Sequence, residues 1–400
     1  YLNFDYSRLQ DIHILNGLIL FLFLNFIFFE IINEKKNKKQ TVYLPILFFC
    51  LIFVLTKYTR LKEFGIDRSA FLIFFYIILF YIKHVVLDIK NNKTDKFNIC
   101  IFLLLSFFCT FLFFIKIVFV FSLILPITVF FLIKQKKLIL KNSLTYLLSL
   151  IYLFYFAKNL IISGCLIYPV ESLCFAKLPW YEIQSIKTLN FNLEVFNKSF
   201  FQYNGDLTQG EYIKNFHWIE TWIKRNANEL IEFSTLLILI FIITILNFKK
   251  SINKNFNIKI ITLFPLIITF IFTLLLIFLK TPVIRMSHHV FLLFFFILFL
   301  KYFSENGAII NKKIFFLLII VAFAFNISKN LIRIKSSNFI NDPIYVLKKH
   351  GLYTEAKKRK LDGFVYYQGW IGGHPIGNTK LDNYNYKKWF IFDIISKKIN

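Results

Sequence analysis

The chain is 400 residues long, 57% hydrophobic and 20% aromatic, with a mean hydropathy of +0.62. Soluble domains average about 45–50% apolar residues, so these values exclude an ordinary water-soluble core and point to a polytopic membrane protein. The net charge of +26 does not indicate nucleic acid: the 55 phenylalanines follow the bias of a low-GC genome, so their interleaving with lysine carries no message.

In chain order, apolar runs between charged breaks predict ten spans, roughly 12–32, 43–56, 70–87, 98–113, 117–133, 144–162, 230–248, 259–279, 289–304 and 314–330. The expected fold is an all-α polytopic transmembrane helical bundle with a large outer loop and a small C-terminal outer segment. Residues 1–163 hold the first six spans, 164–228 the loop, 229–330 the last four, and 331–400 a hydrophilic tail. The fourth and fifth spans come from one run, "NICIFLLLSFFCTFLFFIKIVFVFSLILPITVFFLI", too long for a single crossing of about 30 Å. It reads as a hairpin broken at Lys116. With Tyr1 first and Met286 the only methionine, the sequence reads as a fragment lacking its natural start, and no cleavable signal peptide is visible.

Every second connection is basic: "NEKKNKKQ", "IKHVVLDIKNNKTDK", "KQKKLILKN", "KKSINKNFNIK" and "KYFSENGAIINKK" together carry 19 lysines against Glu34, Asp88, Asp95 and Glu305. Lysine-rich short connections resist translocation, which assigns these five to the cytoplasm and the others to the outer face. The tail is again basic, but an even number of spans places it outside.

The sixth span leads into "SGCLIYPVESLCFAKLPW". On an oxidising face Cys165 and Cys174 can pair; two free thiols are the alternative. Gly164 suits a helix C-cap, and Pro169 and Pro179 stop the helix from continuing. Trp180 and Tyr181 suit the headgroup level. Cys50, Cys100 and Cys109 lie in apolar runs and read as packing residues. No CxxC or HxxxH set suggests a metal site. Further on, "YIKNFHWIETWIKRNANELIEF" places Ile213, Phe216, Ile219 and Ile223 at helical spacing. This is either an amphipathic helix on the membrane surface or one packing against the rest of the loop.

Charges inside a membrane ask for a partner or a function. Lys116 marks the hairpin tip, Lys158 lies one turn before the outer end of the sixth span, and Arg285 and His288 share a face at the start of the ninth. Asp67 and Arg68 precede the third. On this topology all face the outer leaflet. Arginine forks onto phosphate oxygens and an imidazole adds a donor, so convergence would suit a lipid carrying phosphate or pyrophosphate. Snorkelling of long side chains to the headgroups is the simpler reading for either lysine alone.

The series "EFGIDRSA", "FFIKIVFVFSLILP", "KNLIISGCLIYP", "LPWY", "FHWIETWIKR" and "TPVIRMSHH" resembles a family of bacterial multi-pass membrane proteins similar to the GT-C glycosyltransferases, which transfer sugars from polyprenyl-phosphate carriers on the outer face. The resemblance implies an active site at the outer membrane boundary of a bacterial inner membrane. It puts Pro282 and Arg285 near the lipid phosphate, and Lys158 and Asn159 before the SGxxIYP turn. Its partners would be membrane lipids and a polyprenyl-phosphate-linked sugar, with no nucleic acid. No cofactor is evident, although a divalent metal is compatible with the chemistry. That family's catalytic acid lies in the first outer loop, beyond which this chain reads as starting, so no catalytic carboxylate is named; nothing around Asp5 matches a motif. A small outer C-terminal segment also belongs to the family, and "YYQGWIGGHPIGN", rich in Gly and Pro, reads as turns with a structural His374.

Three other roles fit the residues: a flippase or transporter, a surface-polysaccharide polymerase or ligase, and a membrane scaffold. Polar groups near the midplane would favour transport and groups at the outer boundary transfer. Phosphate-loop, dinucleotide and HExxH zinc motifs are missing from the sequence.

Overall fold

The structure is a computed structural model that describes residues 6–36, 42–57, 67–87, 95–175, 178, 183–250, 260–303, 308–310, 312–336, 357–361, 364–371, 374–376, 384–389 and 392–397. Side chains are described for most of these, but not for Arg285. Trp180 and Tyr181, expected at the headgroups, and Pro179, expected to stop the helix, lie outside the described residues. The contacts divide the chain into two units, residues 12–322 and residues 1–11 with 323–400.

The larger unit is an all-α polytopic bundle. α1 (Tyr6–Lys36), α2 (Tyr43–Lys57) and α3 (Asp67–Tyr81) come first, and a π-helical turn, Ile82–Leu87, extends α3. α2 is the centre: residues 42–55 are all buried, as expected of a helix that is apolar all round. With 15 residues it is about 22 Å long, shorter than a lipid-facing span needs. Protein rather than lipid surrounds it.

α4 (Asp95–Ile115) ends at Lys116, whose backbone is extended (φ −150°, ψ 128°). The chain reverses there into a 3-10 segment, Ile117–Leu123, and α5 (Ile124–Leu132). The long apolar run is therefore a hairpin broken where the sequence carries its one charge. Pro126 is tolerated because it falls in the first turn of α5, where a backbone N–H has no helical acceptor.

A short α6 (Lys137–Leu140) leads to α7 (Ser143–Ser163). Asn142 caps α7 by accepting from the Leu144 N–H at 3.0 Å, and Gly164 closes it in the left-handed conformation at φ 74°. A side chain there would be strained.

α8 (Ile183–Asn197) and α9 (Gln209–Ile213) follow. α9 starts with a capping box between Thr208 and Glu211, which also holds the Glu211 carboxyl below the usual range. α10 (Trp218–Asn247) is one continuous 30-residue helix, so the expected seventh span is only its second half. Ile213 and Phe216 precede it, cut off where Asn215 takes a left-handed φ of 55°. Trp218 is buried against Phe278, at 5.3 Å between ring centroids. β1 (Phe248–Lys250), α11 (Ile260–Lys280), α12 (Ile284–Phe303), β2 (Ala308–Ile310) and α13 (Lys312–Ser336) complete the run, with β1 and β2 antiparallel.

Cross-helix contacts show the alternation directly. At one end Asn16 meets Ser69, Lys57 pairs with Glu232 at 2.9 Å, and Lys116 pairs with Asp67. At the other, Glu30 pairs with Lys83, the Tyr81 hydroxyl donates to the Thr262 carbonyl at 3.3 Å, and β1 meets β2. The lysine-rich connections leave from this second end, so the ends are called lysine-poor and lysine-rich below.

In the tail, β3 (Lys357–Leu361) pairs antiparallel with β4 (Phe364–Ile371), which pairs with β5 (His374–Ile376); β6 (Tyr384–Trp389) pairs with β7 (Phe392–Lys397). The segment read as turns is thus largely strand. The run Phe364–Trp370 is rich in aromatic and β-branched residues, and those preferences outweigh the glycine signal.

Candidate functional site

At the lysine-poor end, the first turn of α3, the α4–α5 reversal and the start of α12 come together. The reversal is fixed by the Lys116 N–H donating to the Leu112 carbonyl at 3.0 Å. This brings the Lys116 ammonium to the Asp67 carboxylate, with side chains 26% and 17% exposed, and within 3.3 Å of the Met286 sulfur. Asp67 is the first residue of α3, where a carboxylate also meets the positive end of the helix dipole. Arg68 is half-buried beside it. The turn before α12 is held from a fourth element, because the Trp222 indole N–H donates to the Pro282 carbonyl.

The two histidines of α12 diverge. His288 stacks on Phe233 of α10 at 4.3 Å, with Phe53 and Phe71 further out. His289 is fully buried between Phe71, Phe74 and Phe119, at 5.1, 5.1 and 4.8 Å. Neither of its ring nitrogens has a hydrogen-bond partner among the described residues. Arg285 lies on the same first turn as Met286, three residues before His288.

The structure therefore brings Asp67, Lys116 and the α12 turn carrying Arg285 and His288 together, as the convergence of cations requires. Lys158 stands apart. It is exposed on α7 at the same end, with no ion-pair partner among the described residues. Asn16, Ser69, Trp222 and Met286 were not foreseen as part of this region. Nothing local singles them out, and only their partners, far away in sequence, mark them.

Over this end lie the described residues of the segment 164–217. A Cys165–Cys174 disulfide closes its first loop, flanked by the Leu166 N–H to Leu173 carbonyl and Phe175 N–H to Gly164 carbonyl bonds, both 2.9 Å. Among the other cysteines, Cys50 and Cys109 are buried and Cys100 is exposed. Glu194 of α8 reaches Lys280 at the end of α11 at 3.0 Å and Lys198 at 2.5 Å. Burial opposes ionisation of Glu194, yet the hydrogen bonds from Lys198 and Lys280 hold its carboxyl below the usual range. The ammonium of Lys198 in turn sits 5.1 Å over the Trp218 ring. No three His, Cys, Asp or Glu side chains converge among the described residues, and Asp67 is already taken by Lys116. These described residues do not fit a metal centre.

Among the described residues, seven helices long and apolar enough to cross a membrane, with three shorter apolar ones, packed with their ion pairs at the two ends, define a multi-pass integral membrane protein. The match to a described family falls on the same helices. The chain belongs to the family described as Domain of unknown function (DUF8201), which matches residues 1–292. That range runs from the start of the chain through the first turns of α12, so it includes Asp67, Lys116, Lys158, Arg285 and His288. No curated protein and no solved structure matches the chain.

Proposed function

We propose that this protein is glycosyltransferase-like, acting at its lysine-poor end on a sugar linked to a polyprenyl phosphate, in the assembly of cell-envelope or surface polysaccharide. The observation that carries the reading is the meeting of Asp67, Lys116 and the first turn of α12 at one end of the bundle, with the disulfide-closed segment beside it. That is a boundary position, where a lipid-borne phosphate lies beside a water-soluble acceptor. In such a transfer the acceptor hydroxyl attacks the anomeric carbon and loses its proton to a base. The bond from that carbon to the phosphate oxygen breaks, and the electron pair leaves with the lipid phosphate. Cations at the boundary stabilise the charge developing on that oxygen. Lys116 and Arg285 are assigned this role, with Lys158 as an approaching charge. In the resting protein Asp67 neutralises Lys116, so an incoming phosphate competes with the carboxylate for the ammonium.

The test is binding and transfer by the purified full-length protein with polyprenyl-phosphate sugars. Arg285→Ala removes a forked, charge-assisted contact and should weaken carrier binding roughly 10–100-fold. Unchanged carrier binding and transfer in that variant would remove the reading.

A flippase or transporter is the second reading, and one observation favours it. Glu30 of α1, 7% exposed, pairs with Lys83 on the π-helical turn that extends α3; the pair lies at the lysine-rich end and not at the midplane, but a buried ionisable pair on a π turn is a recurrent feature of transport paths. Movement of the carrier lipid between leaflets without any transfer product would favour it.

A further inference from the structure

The connection between α5 and α7, "IKQKKLILKN" (133–142), carries four lysines and no acid. Lys134, Lys136, Lys137 and Lys141 are all exposed. Among the described residues none of them has a carboxylate partner, although the structure pairs lysines readily elsewhere, as at Lys57, Lys83 and Lys116. The connection is also rigid. Ile133 and Ile139 are buried with Ile99, Leu103 and Leu148. The Thr145 hydroxyl donates to the Ile139 carbonyl at 2.6 Å, and the Gln135 N–H donates to the Asp95 carboxylate at 3.2 Å. This second bond ties the neighbouring acid to the backbone.

Apolar side chains surround the lysines on the outside. Phe131, Leu132, Leu140, Leu144 and Tyr146 are exposed, Phe131 and Leu140 by 71% and 65%. The Lys136 ammonium lies 4.8 Å over the Phe130 ring and 5.5 Å over that of Phe131. A surface that sets fixed cations directly beside bare aliphatic and aromatic groups fits a partner with an anionic part joined to an apolar one. Inorganic phosphate or nucleic acid would satisfy the lysines and leave Phe131 and Leu140 against water. The short connection joins two span ends, so it stays at the membrane boundary.

We propose that the α5–α7 connection is a binding site for anionic phospholipids, whose headgroups take Lys134, Lys136, Lys137 and Lys141 while their chains cover Phe131, Leu140 and Leu144. This lies at the opposite end from the transfer site and is independent of it. Each lysine near an anionic leaflet contributes a preference of roughly fivefold.

The experiment reconstitutes the full-length protein in phosphatidylcholine vesicles containing a minority of phosphatidylglycerol. It then extracts the protein in mild detergent and measures the co-purified lipid ratio by mass spectrometry. The wild type should hold phosphatidylglycerol enriched several-fold over the bulk, and the triple variant Lys134→Gln, Lys137→Gln, Lys141→Gln should lose most of that enrichment, keeping only what Lys136 and the other lysine-rich connections supply. An equal charge loss at the other end, Lys187→Gln, Lys214→Gln, Lys224→Gln, should keep the enrichment, and millimolar inorganic phosphate should not strip it. Enrichment that survives the first triple undiminished, falls equally in the second, or is removed by inorganic phosphate overturns the proposal. If the first triple does not fold, the three single glutamine variants replace it: each should lower the enrichment, and no loss in any of them is also refuting.

Discussion

Asp67→Asn and Lys116→Met, made singly and together, test whether the ion pair holds the lysine-poor end. A fully buried pair costs about 3–5 kcal/mol to break, and an exposed one contributes about 0–1 kcal/mol. With side chains 17% and 26% exposed, this pair lies between those limits, so each single change should cost about 2 kcal/mol. Asp67→Asn leaves a half-buried ammonium without its counter-charge. Lys116→Met also gives up the contact with the Met286 sulfur at 3.3 Å, so the single variants alone do not isolate the pair. The double variant removes both charges, and the coupling between the two changes should be about 1–2 kcal/mol. Equilibrium unfolding in mixed micelles, followed by fluorescence of the buried Trp218 and its neighbour Trp222, measures it. Single effects that simply add, within about 0.5 kcal/mol, would show that Asp67 and Lys116 are neighbours without being partners, and the argument for a charge cluster would lose its centre.

Replacing Cys165 and Cys174 together by Ser should destabilise the loop that they close by about 2–3 kcal/mol on the chain-entropy estimate. Hydrogen exchange should accelerate over 163–175 while α4 and α12 stay protected. Glu194 supplies a pH dependence. Its folded carboxyl titrates below the ordinary range, so its contribution is fully present above about pH 4.5 and is lost as pH falls through the folded value. Thermal unfolding of the wild type should therefore weaken in acid more steeply than that of Glu194→Gln, and parallel acid limbs would refute the assignment.

The bundle was legible because its causes are local. A run of apolar residues must form a helix in lipid, since no water is there to take its backbone groups. The one charge in the long run marked its reversal at Lys116, and Gly164 marked the end of α7. Contacts were not legible in the same way. That Asp67 would meet Lys116, or Trp222 the Pro282 carbonyl, depends on how helices pack, and neither residue carries a local sign of its partner. The segment 212–233 shows the boundary between the two. Its periodicity joins Ile213 and Phe216 to Ile219 and Ile223, but the left-handed backbone at Asn215 leaves the first two outside α10, and Trp218 packs on Phe278 and Lys198, neither of which lies in that segment. In the tail, glycine and proline were weighed above the aromatic run Phe364–Trp370, which forms strand.

The lysines of the α5–α7 connection differ in their pairing from those of the opposite end, and also from Lys83, which holds Glu30 at their own end. At the lysine-poor end Lys57, Lys116, Lys198, Lys224 and Lys280 each hold a carboxylate, whereas the lysines of the α5–α7 connection hold none among the described residues. A cation already neutralised attracts an anion weakly from a distance and yields only to one that outcompetes its carboxylate. A simple monoanion gains little by displacing Asp67 from Lys116. A phosphate ester or pyrophosphate brings more charge and more acceptor oxygens to the same ammonium and can still use the neighbouring arginine. Lys158, exposed and without a described partner, is the cation there that such a group would feel first. On the two proposals made above, pairing makes the lysine-poor end selective and the α5–α7 connection adhesive, which is the division expected if one end holds a reacting phosphate and the other the membrane itself.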